Sequence, residues 1–167
     1  MLNKPKGVIS ASSDKSHKTV VDLFKGYEHY GLFPVGRLDK NTTGLLIITN
    51  DGKLTHELIS PRRNKPKTYL CTLKKPFENF YIQAIKEGIP LSDFFTKPGI
   101  VKKVSDNVCE LTIFEGKYHQ VKRMFTTLGN EITELHRLSM NELHIDETLK
   151  PGEFKELSEE ELNILKN

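Results

Sequence analysis

Apolar positions along this chain recur with two periods, and the switches between them predict a mixture of strands and helices. Thr68-Tyr69-Leu70-Cys71-Thr72-Leu73 alternates with period two, which puts Lys67, Tyr69, Cys71 and Leu73 on one face. Residues 107–114 alternate again, with Cys109, Leu111 and Ile113 inward and Glu110 and Thr112 outward. Leu45-Leu46-Ile47-Ile48 is apolar on both faces, which predicts a central strand, and Phe33-Pro34-Val35 reads as a brief strand ahead of it. Over 119–128 the period lengthens: Val121, Met124, Phe125 and Leu128 make one helical stripe, and Gly129 stands just past its end. Gln120, Lys122, Arg123 and Thr126 fall off that stripe.

Helices are also predicted over 54–59, closed by Pro61, and over 77–87, stopped by Gly88. Two capping boxes add short helices, one opening at Thr19-Val20-Val21-Asp22 and ending near Gly26, the other opening at Ser158-Glu159-Glu160-Glu161. Strand-like pieces follow at 132–138 and 142–145. There is no internal repeat, low-complexity tract or dividing linker. At 167 residues the chain is expected to be one α+β domain, with room for two lobes.

Composition narrows the picture without deciding it. No apolar run approaches the length that spans a bilayer, and Met1-Leu2-Asn3-Lys4-Pro5-Lys6-Gly7 lacks the apolar core of a signal peptide. A cytoplasmic protein with no membrane partner is expected, its Cys71 and Cys109 reduced and in the core. The net charge of +3 is mild but unevenly spread. Lys4, Lys6, Lys15 and Lys18 crowd the first segment; Arg62, Arg63, Lys65 and Lys67 form a second cluster, and Lys117, Lys122 and Arg123 a third. Acid gathers at Glu153, Glu156, Glu159, Glu160 and Glu161. A basic working face suits a phosphate-rich partner, although such clusters are also ordinary solvated surface.

The candidate chemistry lies in Gly36-Arg37-Leu38-Asp39-Lys40-Asn41-Thr42-Thr43-Gly44. Asp39 sits among cations in a glycine-bounded loop that feeds the apolar strand. A rigid loop of that kind suits a nucleophilic or general-base carboxylate. It is equally compatible with a turn residue paired to Arg37. The six histidines have no zinc-site spacing, and neither a phosphate-binding glycine loop nor a serine nucleophile elbow occurs. The surviving set needs no cofactor and no metal. Asn50 and Asp51 read as helix caps, and Met124 and Phe125 as core.

Three ordered blocks resemble the RsuA/RluB/RluE/RluF branch of pseudouridine synthases. They are Leu2-Asn3-Lys4-Pro5-Lys6-Gly7; Phe33-Pro34-Val35-Gly36-Arg37-Leu38-Asp39 with Thr43-Gly44-Leu45-Leu46 and Thr49-Asn50-Asp51-Gly52; and Glu115-Gly116-Lys117-Tyr118-His119-Gln120-Val121-Lys122-Arg123-Met124-Phe125. Lys67-Thr68-Tyr69 is similar to the family's K-x-Y strand, and Pro151-Gly152-Glu153-Phe154-Lys155-Glu156-Leu157 to its terminal segment. The resemblance implies a pseudouridine synthase fold: a central, mainly antiparallel mixed sheet with flanking helices and an RNA-binding cleft. It also implies a cofactor-free isomerisation of a ribosomal uridine.

By the same resemblance Asp39 is the nucleophile, attacking C6 of the base or C1′ of the ribose. Lys122 is its cation, standing where many relatives carry Arg, and Tyr69 is the stacking ring that takes the C5 proton. The target uridine must be flipped out of its stack. Arg37 either fills the gap or braces Asp39. Lys4, Gln120 and Arg123 are further expected RNA contacts. Arg62, Arg63, Lys65 and Lys67, if each neutralises a phosphate, imply a log–log salt slope of about −3, roughly −0.7 per contact.

Family members usually begin with a small S4 RNA-binding domain, whose absence is expected here because the chain starts almost at Asn3-Lys4-Pro5. The loop Gly88-Ile89-Pro90-Leu91-Ser92-Asp93, followed by Thr96-Lys97-Pro98-Gly99, looks like the small-subunit enzymes. The expected partner is therefore 16S rather than 23S rRNA, free or in a partly assembled subunit, bound by a monomer. Two rivals remain at this stage. One is an aspartyl-phosphate enzyme, loosely echoed by Asp39-Lys40-Asn41-Thr42-Thr43-Gly44. The other is a non-catalytic rRNA-binding module.

Overall fold

A computed structural model describes residues 1–167. The strands are β1 (Leu2–Lys4), β2 (Phe33–Pro34), β3 (Thr43–Leu46), β4 (Ile48–Thr49), β5 (Lys67–Leu73), β6 (Ile100–Ser105), β7 (Val108–Ile113), β8 (Ile132–Met140) and β9 (Leu143–His144). The α-helices are α1 (Gly52–Ile59), α2 (Phe80–Glu87), α3 (Gln120–Thr127) and α4 (Glu159–Lys166). Seven strands form one sheet in the order β1-β3-β8-β5-β7-β6, with β9 paired to β8. Every junction is antiparallel except β3 with β8. The mainly antiparallel α+β architecture expected from the sequence is the one found.

The apolar run after Gly44 divides. Leu45 and Leu46, both fully buried, point to opposite faces of β3 and enter two different hydrophobic clusters. Ile47 then leaves the sheet, and Ile48–Thr49 pairs with Phe33–Pro34 as a separate ribbon. Gly44 itself lies at φ +103°, and a Cβ there would stand 2.3 Å from the Arg137 carbonyl oxygen of β8. Only glycine permits the close parallel approach of β3 to β8 at this point.

The helix predictions need four corrections, the first being that α1 starts at Gly52 rather than 54. The reciprocal Thr19–Asp22 capping bonds form, but they open only a 3₁₀ turn over Val21–Leu23. Helix α2 starts at Phe80 rather than 77, because Phe77 N–H bonds the Asp106 carbonyl (2.7 Å) and its ring is held in the core. Helix α3 starts one residue late, His119 being in the left-handed region at φ 47°. Its stripe of Val121, Met124 and Phe125 is buried as expected.

Of the other expected caps, Asp51 and Ser158 behave as read, whereas Asn50 caps nothing and donates instead to the Tyr30 carbonyl (3.2 Å). The Asp51 carboxylate accepts from Lys53 N–H and Leu54 N–H, and Ser158 with Glu161 forms a complete capping box. Cys71 and Cys109 are free thiols, opposite one another on β5 and β7 and fully buried. Their proximity and burial hold the Cys71 thiol well above its usual range.

The β5–β8 ladder contains a bulge that shapes the site. Thr68 pairs with Ser139 but Tyr69 pairs with Arg137, which leaves Leu138 without a partner. Residues three apart on a regular strand face opposite sides. Past the bulge, Arg137 and Met140 both line the same cleft.

Candidate active site

The cleft has a volume of about 500 Å³ and opens where the two hydrophobic clusters meet. Val35 to Asp39, Lys67 and Tyr69 of β5, the 113–117 turn, Lys122 of α3 and Arg137 of β8 all line it. The three groups expected to converge on one hole, Asp39, Tyr69 and Lys122, are brought together there.

Asp39 is held by its backbone rather than by a charged neighbour in sequence. Ser10 Oγ accepts from Leu38 N–H and donates to the Leu38 carbonyl, and Asp39 C=O accepts from Thr42 N–H. The Lys4 ammonium lies under the turn and donates to the carbonyls of Pro5 (3.0 Å), Lys40 (2.9 Å) and Thr42 (2.8 Å). Arg37 is exposed and is not the partner of Asp39. The carboxylate instead meets His119 Nε2 at 3.3 Å through Oδ1 and Lys122 Nζ at 3.8 Å through Oδ2. Tyr118 stacks on the His119 ring at 3.8 Å, with its own outer face in solvent.

Tyr69, on β5, is largely buried with its side chain on the cleft. Lys67, two residues earlier on the same face, is half-buried, and its Nζ has a single long bond, 3.5 Å to the Lys65 carbonyl. Burial depresses the Lys67 pKa, and the Arg137 guanidinium depresses it further.

Several expected RNA contacts are committed to other partners. Lys4 is fully buried under the Asp39 turn, where burial lowers its pKa to about 8 against the attraction of Asp39. Gln120 is buried too, its amide donating to Glu115 Oε1 (2.9 Å) and its oxygen accepting from Lys117 N–H (3.2 Å). The Arg123 guanidinium binds Asp93 and the Tyr118 carbonyl, fastening the 92–94 loop to α3. Lys65 donates to the Lys166 carbonyl at the end of α4 (2.6 Å), so the acidic C-terminal helix abuts the basic rim rather than pointing away from it. Arg62 and Arg63 stand exposed on a 3₁₀ turn beside the cleft.

Two residues in the site escaped the sequence reading. His119 was grouped with the helix that follows, and no spacing pattern marks it as a partner of Asp39. Arg137, only 2% exposed, lies in a strand where an alternating pattern reads a charge as outward-facing.

The model of the family described as RNA pseudouridylate synthase matches residues 1–127. The chain belongs to that family. Over 99% of its length it is 47% identical to a protein of Bacillus subtilis named "Uncharacterized RNA pseudouridine synthase YtzG", covering 72% of that protein. It is 42% identical over 97% of its length to the "Ribosomal small subunit pseudouridine synthase A" of Salmonella typhimurium, covering 71% of it. A solved structure titled "Crystal structure of pseudouridylate synthase" superposes with a TM-score of 0.93 at 41% identity, over 98% of this chain and 71% of that one. The chain is thus a pseudouridine synthase of the RsuA type, and its cleft is the place in the fold where a carboxylate, a phenol and several amines face one space.

Proposed function

We propose that this single catalytic domain isomerises a uridine of ribosomal RNA to pseudouridine, with small-subunit RNA as the substrate and Asp39 as the nucleophile. The observation that carries the reading is the cradle around Asp39: an accessible carboxylate in an open cleft, with a separate basic group at each oxygen. A nucleophile must be both charged and reachable. Lys122 at 3.8 Å balances the charge without closing a tight ion pair, so an oxygen remains available to a substrate carbon. Tyr69 lines the same cleft, in reach of a base that has left its stack. The small-subunit assignment is supported by the name of the Salmonella relative and by the character of the 88–99 loop.

The reaction conserves atoms. Asp39 bonds transiently to ribose C1′ or to C6 of the base and is released again as a carboxylate; between those events the bond from C1′ to uracil N1 breaks, the base turns in the cleft, and C1′ bonds to C5. The C5 hydrogen departs as a proton, with the Tyr69 oxygen as its first acceptor, and N1 ends protonated. Tritium release from a small-subunit transcript tritiated at uridine C5 reads this step. Wild type releases tritium, and Asp39→Asn releases none while its RNA affinity stays within about threefold, because no phosphate contact is removed. Release by the Asn variant at the wild-type rate excludes Asp39 as the nucleophile. Release from a large-subunit transcript alone moves the substrate to the other subunit.

A further inference from the structure

The cationic wall of the cleft has a hydrogen-bonding vacancy that the roles of Asp39, Tyr69 and Lys122 leave unused. Arg137 is anchored by Nε, which donates to the Leu45 carbonyl at 2.8 Å. Its Nη2 is fully buried and has no hydrogen-bond partner in the protein. A buried guanidinium N–H without an acceptor is costly, and native proteins retain such a group where something else completes it. Lys67 Nζ is nearly as poorly served. The bulge at Leu138 turns Arg137 to the Lys67–Tyr69 face, so the two cations adjoin the tyrosine.

We propose that the Arg137 guanidinium and Lys67 Nζ form an oxyanion subsite that binds a carbonyl oxygen of the target uracil and stabilises the negative charge the base carries during isomerisation. The proposal rests on the reading of Asp39 and its cleft as a uridine-isomerising site. When the C1′–N1 bond breaks, its electron pair stays with the base and spreads over N1, O2 and O4. If Asp39 instead adds to C6, the pair displaced from the C5–C6 bond moves onto O4 as an enolate. Negative charge reaches a carbonyl oxygen on either route, and fixed donors aimed at it stabilise it strongly. A detached base must also be retained while it rotates. Two cations that attract an anion in any in-plane orientation do so without blocking the turn.

A phosphate is the less suitable occupant. Arg137 is buried beside Met140 and Leu135, apolar neighbours that match a flat base, whereas exposed Arg62 and Arg63 are available to the backbone.

The test uses 5-nitrouracil, which is ionised at neutral pH, against neutral uracil, each titrated calorimetrically into the intact protein. Wild type prefers the anion at least tenfold, and Lys67→Met and Arg137→Gln lose that preference. Arg137→Lys retains part of it and guards against a misfolded Gln variant. Equal affinity for the two bases in wild type overturns the subsite, as does a preference that survives both substitutions. Displacement of 5-nitrouracil by millimolar inorganic phosphate also overturns it, in favour of a backbone-phosphate site. In the tritium assay Lys67→Met slows single turnover by about 100-fold, with RNA affinity within about threefold. A variant that only melts earlier, with its folded fraction turning over normally, removes the role. If wild type prefers the anion but releases no tritium, the proposed isomerisation fails and the subsite stands.

Discussion

Two lysines close to the cleft, Lys4 under the Asp39 turn and Lys67 on the β5 wall, show how differently one residue type is used. Both are withdrawn from water, and burial depresses the pKa of both. Lys4 has three carbonyl acceptors between 2.8 and 3.0 Å and no exposure. Lys67 has one acceptor at 3.5 Å and a neighbouring guanidinium that repels it. A buried ammonium with its donors satisfied is a structural rivet; one at the cleft with a single long bond keeps donors free. The two differ in partners and in exposure, Lys4 being fully buried and Lys67 half-buried.

The largest effect expected from breaking this comparison comes from Gly44→Ala. Lys4 pairs with Gly44 across β1–β3, and the Arg137 backbone closes on Gly44 from β8, so a methyl group there disturbs the rivet and the wall together. A loss of about 3 kcal/mol or more is expected in urea unfolding, with activity lost in whatever remains folded.

Lys4→Met comes next, at about 3 kcal/mol, because the carbonyls of Pro5, Lys40 and Thr42 each lose the ammonium as a donor inside the protein, Lys40 keeping only the Gly7 N–H. Its melting curve should fall well below that of wild type. Stability unchanged by this substitution would make the three bonds incidental.

A pH series sharpens the same point. The Lys4 pKa is about 8 when folded, against its ordinary 10.5. Between those values the unfolded chain binds more protons than the folded one, so the Lys4 contribution rises with pH, by up to about 1.4 kcal/mol per unit. The wild-type stability should therefore gain on Lys4→Met from pH 8 to 10.5, and the difference between the two should be flat below pH 7. A difference that shrinks with rising pH would contradict the depressed pKa.

The smallest effect on stability belongs to Lys67→Met, which removes a poorly bonded, half-buried charge and keeps the aliphatic stem. Its unfolding free energy should lie within about 0.5 kcal/mol of wild type or above it. A loss comparable to that of Lys4→Met would mean that Lys67 is a second rivet.

How much of this was legible beforehand depended on whether a feature is written in local pattern. The stripe of α3, the alternation of β5 and β7, and the Ser158 capping box were readable because periodicity and short-range hydrogen bonds act within a few residues. Strand β1 was missed because it is three residues long and ends on a lysine. Strand β6 was missed because Ile100–Ser105 lies at the edge of the sheet and keeps only Val101 buried, leaving no alternation to detect. Lys4 looked like a surface charge because nothing nearby in sequence announces the carbonyls of residues 40 and 42. His119 and Arg137 were overlooked for a related reason: their partners lie 80 or more positions away, on other elements.

The sequence by itself determined the mixed α+β class, the positions of the main elements, and the loop that makes Asp39 a candidate, while Tyr69 and Lys122 came from the family resemblance. The first three follow from periodicity and from the intrinsic chemistry of side chains, which need no knowledge of distant contacts. Tertiary structure alone decided which charges reach the cleft and which are consumed in building it. One unpaired residue in β8 turns Arg137 inward, and three hydrogen bonds from one ammonium withdraw Lys4. Both outcomes depend on strand register and on backbone carbonyls, which every residue carries alike and no side-chain pattern records.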